Sequence, residues 1–208
     1  MRRAGENAKL NLLMSEPTFR TSPSMPRTGN RVTRWLGRSI LRTIGWRLVG
    51  DVPDEPKLIV IGAPHTSNWD LILAMSSMLA LGLRFSWMMK KEAFFWPLGG
   101  LWKRLGGIPI DRSSRNSIAE QMAEAFDHAD KLWLGITPEG TRKTVKRFRK
   151  GYLHIAYSAK VPILLIGIDA MRKRAVIDKV WHLTGDIEID NKAIKSYFDK
   201  HYTGIRSG

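Results

Sequence analysis

The chain contains no cysteine. That excludes a disulfide framework, a thiol nucleophile, a cysteine-ligated zinc and an iron–sulfur cluster. Long apolar runs are also missing. The longest stretches free of charge, Leu71–Leu83 and Ala93–Trp102, fall short of the roughly 18–20 residues that cross a bilayer as a helix. No apolar stretch follows Arg2 and Arg3 in the manner of a signal peptide. No Gly-x-Ser-x-Gly elbow occurs, so there is no sequence case for a serine acyl-enzyme. The glycine pairs Gly99-Gly100 and Gly106-Gly107 are not followed by Gly-Lys-Ser/Thr, which argues against a nucleotide-binding phosphate loop. Acidic charge is scarce: 19 Asp and Glu face 34 Lys and Arg, a net charge of +15.

Such a field favours a polyanion: nucleic acid, anionic lipid or a phosphorylated substrate. The excess is uneven. Arg2, Arg3, Lys9, Arg20, Arg27, Arg31, Arg34, Arg38, Arg42 and Arg47 stand against only Glu6 and Glu16 in the first fifty residues. Residues 1–31, rich in Ser, Thr, Pro and Arg without periodicity, read as a disordered basic tail. From 32 to 50 the pattern becomes helical. Trp35, Leu36, Ile40, Leu41, Ile44 and Leu48 recur on one side, with Arg34, Arg38, Arg42 and Arg47 on the rest. This predicts an amphipathic basic helix, either packed on the domain or lying on an anionic membrane.

Residues 51–208 alternate between short apolar runs and amphipathic stretches. Lys57–Ala63, Phe85–Met89, Gly107–Ile110, Lys131–Ile136, Pro162–Ile168 and Val180–Leu183 are predicted strands. Ser67–Leu81, Asn116–Ala129, Gly151–Ala159 and Lys192–Phe198 are predicted helices. The expectation is a single α/β domain: a central, mostly parallel sheet flanked by helices, preceded by the N-terminal amphipathic helix. Sites in such folds gather in the loops at the strand ends.

Four loops or strands carry candidate chemistry. After the first buried strand, His65 and Asp70 are separated by four residues across a strand-to-helix turn. An imidazole can take a proton from a hydroxyl near neutral pH, and a carboxylate on its other nitrogen would fix the tautomer. Ser67-x-x-Asp70 also fits a capping box, so Asp70 has a structural reading too. The run Gly107–Asp111–Arg112 ends a short strand with an acid and a guanidinium that could fork onto a phosphate. Thr137-Pro138-Glu139-Gly140-Thr141-Arg142 combines a glycine turn, a hydroxyl and a cation, followed by Lys143, Lys146, Arg147, Arg149 and Lys150; alone it reads as a basic loop or nucleic-acid patch. Val161-Pro162-Ile163 reads as part of a buried strand. Asp127, His128 and Asp130 are a solvated helix end rather than a metal site.

In this order and spacing the four elements resemble the glycerophospholipid acyltransferase family, with the bacterial 1-acylglycerol-3-phosphate acyltransferases as the branch most like it. The resemblance covers about Val32 to Leu183. It implies that His65 and Asp70 are catalytic, that Arg112, Glu139, Gly140, Thr141 and Arg142 hold the phosphate end of the acceptor, and that Val161–Ile163 helps line the acyl site. The segment from Lys91 and Glu92 through Pro97, Gly100 and Arg104 resembles the family's linking segment. The pattern differs at Thr137, Lys143 and Leu165.

The function so implied is transfer of a fatty acyl chain from a thioester donor, acyl-CoA or acyl-carrier protein, to the hydroxyl of a lysophospholipid. The expected acceptor is 1-acylglycerol-3-phosphate, giving phosphatidic acid at the cytoplasmic face of a membrane with which the protein associates peripherally. No cofactor and no metal is implied. The alternatives are another acceptor, glycerol-3-phosphate or a lyso-aminolipid, or a non-enzymatic protein that binds membrane or nucleic acid. Nucleic acid is the weaker partner, because it gives no reason for the ordered motifs.

Overall fold

A computed structural model describes residues 22–65, 69–141 and 145–204. The first helix, α1 (Arg31–Thr43), is capped by Asn30, whose side chain accepts from the N–H groups of Val32 and Thr33. It ends at Ile44, where Gly45 turns at φ +72°. The helix expected over 32–50 is therefore shorter, and its last part is a strand, β1 (Arg47–Gly50). The glycine breaks the helix, and Leu48 continues the apolar spacing only by coincidence of period. Nor is all of 1–31 an unstructured tail: Met25 is 1% exposed in the core, and Thr28 N–H donates to the Gly82 carbonyl at 3.0 Å. Residues 1–21 lie outside the described residues.

The remaining elements follow the expected alternation: β2 (Lys57–Ala63), α2 (Trp69–Leu81), β3 (Trp87–Lys90), a short 3-10 turn at Lys91–Ala93, α3 (Leu98–Leu105), β4 (Gly107–Ile110), α4 (Ile118–His128), β5 (Leu132–Ile136), α5 (Gly151–Ala159), β6 (Ile163–Asp169), β7 (Arg174–Trp181) and α6 (Ile187–His201). The helix α3 has no counterpart among the sequence expectations, since Gly99 and Gly100 lower helix propensity there. The last strand and helix are both longer than expected.

The main sheet has the order β1-β7-β6-β2-β5, and β3 and β4 form a parallel pair of their own. The two sheets join through Ser86, whose N–H donates to the Trp133 carbonyl (2.7 Å) and whose carbonyl accepts from Gly135 (2.9 Å). β6, β2, β5, β3 and β4 all run one way, and β7 and β1 run the other.

Alternation along the strands sends side chains to two cores. Leu58, Val60, Trp133, Leu164 and Ile168 pack with Leu41, Leu73 and Ala80 under α1 and α2. Ile59, Ile61, Leu134, Ile163 and Leu165 pack with Met122, Phe126, Tyr152, Ile194 and Phe198 under α4, α5 and α6. α3 covers the same side as α1 and α2: a Cβ at Gly107 would point toward Met89, Trp102 and Phe94, while Ile108 and Ile110 face the opposite core. The domain is thus a three-layer α/β/α sandwich with helices on both faces of a mostly parallel sheet.

Candidate active site

Parallel strands deliver their following loops to one sheet edge, and here the motif loops lie at that edge. β2 ends at Ala63, and the chain passes through Pro64 and His65 before α2 begins at Trp69. Asp70 sits in the first turn of α2, 3% exposed. His65 Nδ1 lies 3.2 Å from Asp70 Oδ2. With a proton on Nδ1, the imidazole donates to the carboxylate and leaves the Nε2 lone pair for a substrate. The His65 side chain remains 21% exposed, so the imidazole is reachable while the Asp70 carboxylate is not. Ser67, the other half of the expected capping box, lies outside the described residues.

Glu139 follows β5, the neighbour of β2 in register Ile61 with Ile136. Its side chain turns toward the β2 loop, and Oε1 accepts the His65 backbone N–H at 2.8 Å. The carboxylate is 5% exposed, and its second oxygen has no hydrogen-bond partner among the described residues. Burial pushes the Glu139 carboxyl above its ordinary range, and the His65 N–H offsets part of that rise. Glu139 thus ties the third motif to the first.

The turn itself is tightly built. Gly140 has φ +62°, its N–H donates to the Thr137 carbonyl at 3.3 Å, and a Cβ there would meet the Arg149 side chain at 2.8 Å. A side chain at this position would carry backbone strain and oblige the Arg149 side chain to move aside. Arg149 N–H donates to the Pro138 carbonyl at 2.9 Å, so the basic loop folds back over the motif. Thr141 closes the described part of this loop. Arg142 lies outside the described residues.

The second motif reaches the same edge from β4. Gln121 on α4 holds it from both sides: Oε1 accepts from Asp111 N–H (3.0 Å), and Nε2 donates to the Asp111 carbonyl (2.8 Å). The Ser113 hydroxyl and N–H bind the Asp111 carboxylate, and Lys91 Nζ lies 3.2 Å from it; together they lower the Asp111 pKa to about 2. Arg112 is exposed beside this anchored turn. β4 is three strands from β2, about 14 Å at ordinary strand spacing, so Arg112 stands at the far end of the edge. The Val161–Ile163 element enters β6, where Val161 and Ile163 are core residues.

Sequence reasoning did not single out Gln121 or the covering role of Arg149. Both act from outside their motif, and only the fold brings them close. Lys91 was within the linking segment, but its pairing with Asp111 has no sequence signal. Among the described residues no cluster of His, Asp and Glu could hold a metal ion, and Asp127, His128 and Asp130 form no such site.

Comparison with known proteins agrees with this architecture. The crystal structure of the 1-acyl-sn-glycerophosphate (LPA) acyltransferase PlsC from Thermotoga maritima superposes with a TM-score of 0.57 over 82% of this chain and 76% of that one, at 18% identity. At that identity the likeness speaks for the fold. No curated protein matches the chain at a significant level. A family model described as Acyltransferase matches residues 48–169, which include His65, Asp70, Arg112, Glu139, Gly140 and Thr141. That match covers more than half of the chain and sets aside the non-enzymatic reading: the chain belongs to the acyltransferase family and is an enzyme of acyl transfer.

Proposed function

We propose that this enzyme transfers a fatty acyl chain from acyl-CoA or acyl-carrier protein to the free hydroxyl of 1-acylglycerol-3-phosphate, yielding phosphatidic acid. The observation that carries the reading is the His65–Asp70 pair, 3.2 Å apart at the C-terminal sheet edge with the imidazole accessible. His65 Nε2 takes the hydroxyl proton as the oxygen attacks the thioester carbonyl. The tetrahedral adduct collapses, the carbon–sulfur bond breaks, and the thiolate leaves with the proton returned from His65. Asp70 holds the ring and stabilises the imidazolium between these steps. Glu139 restrains the loop that carries His65. Arg112, with Gly140, Thr141 and Arg142, receives the phosphate end, as guanidinium and backbone donors suit that group. The Thermotoga maritima protein of the same fold is a 1-acyl-sn-glycerophosphate acyltransferase, which favours the same acceptor here.

Peripheral attachment to the cytoplasmic face of a membrane belongs to the same proposal. Its support is a run of exposed apolar side chains on the α1–α2–α3 side: Val32 (68%) and Trp35 (65%) on α1, Leu71 (63%) on α2, Phe95 and Trp96 (91%) before α3, and Leu101 on α3. Arg31, Arg38, Arg42, Lys90, Lys91 and Arg104 are interspersed and exposed, a pairing of apolar and cationic groups that suits an anionic lipid surface. No helix among the described residues is long and apolar enough to cross a membrane.

The test is a panel. Purified enzyme is incubated with each donor and with 1-acylglycerol-3-phosphate, glycerol-3-phosphate or a lyso-aminolipid, and the lipids are read by mass spectrometry. Phosphatidic acid as the main product supports the reading. A product from an acceptor lacking phosphate, with none from the phosphorylated acceptors, contradicts the roles of Arg112 and Arg142.

A further inference from the structure

A second basic site lies at the opposite edge of the sheet. Where the β3–β4 pair meets β5, a cavity of about 580 Å³ opens among the residues before β3, before β4 and at the start of β5. Arg27, Arg84, Lys103 and Lys131 line it, and among the described residues no acidic side chain does. It is separated from the His65 edge by the length of β5, at least about 13 Å of extended chain.

The four cations come from separate segments that are held together. Arg27 pairs with Leu83 as an isolated bridge, and Arg84 N–H donates to the Pro26 carbonyl at 2.9 Å. Arg84 Nη2 donates to the Lys103 carbonyl at 3.0 Å, which fixes the guanidinium and leaves the rest of its fork to a ligand. Lys131 Nζ donates to the Pro23 carbonyl. Gly106, at φ +113°, lets the chain turn beside Phe85, where a Cβ would stand 2.5 Å from the Phe85 carbonyl oxygen. Trp133 gives the cavity an apolar wall.

Arg84, Lys103 and Lys131, gathered in one cavity, repel one another unless an anion neutralises them, and a fixed guanidinium flanked by two ammonium groups matches a group with several anionic oxygens. We propose that this cavity binds the phosphate group of an organic phosphate, at a site separate from the catalytic edge and independent of the acceptor named above. The phosphate would belong to a soluble phosphorylated molecule or to a phospholipid headgroup; both present the same oxygens.

Binding is measured on the full chain in an R112Q background, which weakens phosphate capture at the catalytic edge. Two probes are used: inorganic pyrophosphate by calorimetry, and phosphatidylcholine vesicles with or without phosphatidic acid by co-flotation. The variant K103Q/K131Q is compared with K192Q/K200Q, an equal loss of charge on exposed α6. Loss of two charge-assisted hydrogen bonds should weaken binding by about 10-fold or more in the cavity variant, and by less than about 2-fold in the control, where the charge is distant and screened. Because Lys131 also tethers Pro23, K103Q alone is measured as well and should retain part of the loss. A selective loss for pyrophosphate supports the site and identifies a soluble phosphate. A selective loss confined to phosphatidic acid vesicles supports it and identifies a headgroup. Equal behaviour of K103Q/K131Q and K192Q/K200Q with both probes overturns it.

Discussion

The two faces of the sheet are alike inside and unlike outside. Beneath α1 and α2 the core holds Leu58, Val60, Trp133 and Leu164; beneath α4, α5 and α6 it holds Ile59, Ile61, Phe126 and Ile163. The outer surfaces differ. The α1–α2–α3 side exposes Val32, Trp35, Leu71, Met75, Trp96 and Leu101, whereas the large apolar side chains exposed on the opposite helices are Ile118 and Ile189. Scattered exposed apolar residues are ordinary, whereas a face that repeats them over three helices is the kind of surface that suits an apolar partner. Inner packing holds the fold on both sides, and the proposed attachment to a lipid surface rests on the outer chemistry of one side alone. The site edge lies between the two faces, and Asp70 and His65 enter it from the apolar side.

The comparison can be broken or sharpened by substitution. Trp133→Ala and Phe126→Ala, one in each core and both 1% exposed, should each cost about 3–5 kcal/mol of stability in urea denaturation; a much smaller cost on one side would mean that the two layers do not share the fold equally. On the outer surfaces the effects should diverge. Trp96→Glu with Leu101→Glu should remove about 1.5–3 kcal/mol of vesicle affinity per side chain, while Ile118→Glu on α4 leaves vesicle binding unchanged in co-flotation. An equal loss from Ile118→Glu would end the distinction between faces.

The glycines sharpen it further. A Cβ at Gly37 of α1 would stand 2.4 Å from the Ala80 backbone nitrogen and 2.7 Å from the Ser76 carbonyl oxygen of α2, whereas Gly151 at the start of α5 has nothing within 4 Å. Gly37→Val should cost about 1–3 kcal/mol in thermal melts; Gly151→Ala should be close to neutral or stabilising.

The smallest effect concerns the edge between the faces. The Glu139 carboxyl is raised above its ordinary range, so the stability tied to its protonated form is present below the ordinary glutamate pKa and is lost as pH rises through the raised value. Glu139→Gln keeps an acceptor for the His65 N–H and removes the buried charge. Its melting temperature relative to the wild type should therefore increase as pH rises through that window. Glu139→Ala removes the acceptor and should lower activity at every pH. A Glu139→Gln difference that does not change with pH would mean that Glu139 is not ionised against its burial.

Much of this was legible from residues alone. β2, β4 and α5 match their sequence expectations residue for residue, because a buried apolar run bounded by Lys57 and Pro64, or by Gly106 and Asp111, leaves little choice of element. The His65–Asp70 pairing was legible because the two residues are local to one turn. What was hidden is either masked by a mixed period or non-local. β1 shares the apolar spacing of α1, so the pattern continues the helix into it; only Gly45 marks the break. α3 was obscured by Gly99 and Gly100. Gln121 holding Asp111, Glu139 holding His65 and the cations around the basic cavity depend on strand order, and one sequence carries no direct signal of it. The side of the sheet on which α3 lies was hidden for the same reason.

The central claim is that His65, oriented by Asp70, is the general base for acyl transfer. The most direct measurement is acceptor-dependent release of free thiol from the thioester donor by wild type and by His65→Ala, with folding of both verified by circular dichroism. The account predicts a fall of roughly 10²–10⁴-fold in the variant, the usual worth of a positioned base. Thiol release by folded His65→Ala within about 10-fold of the wild type, below the usual range for losing such a base, would contradict it.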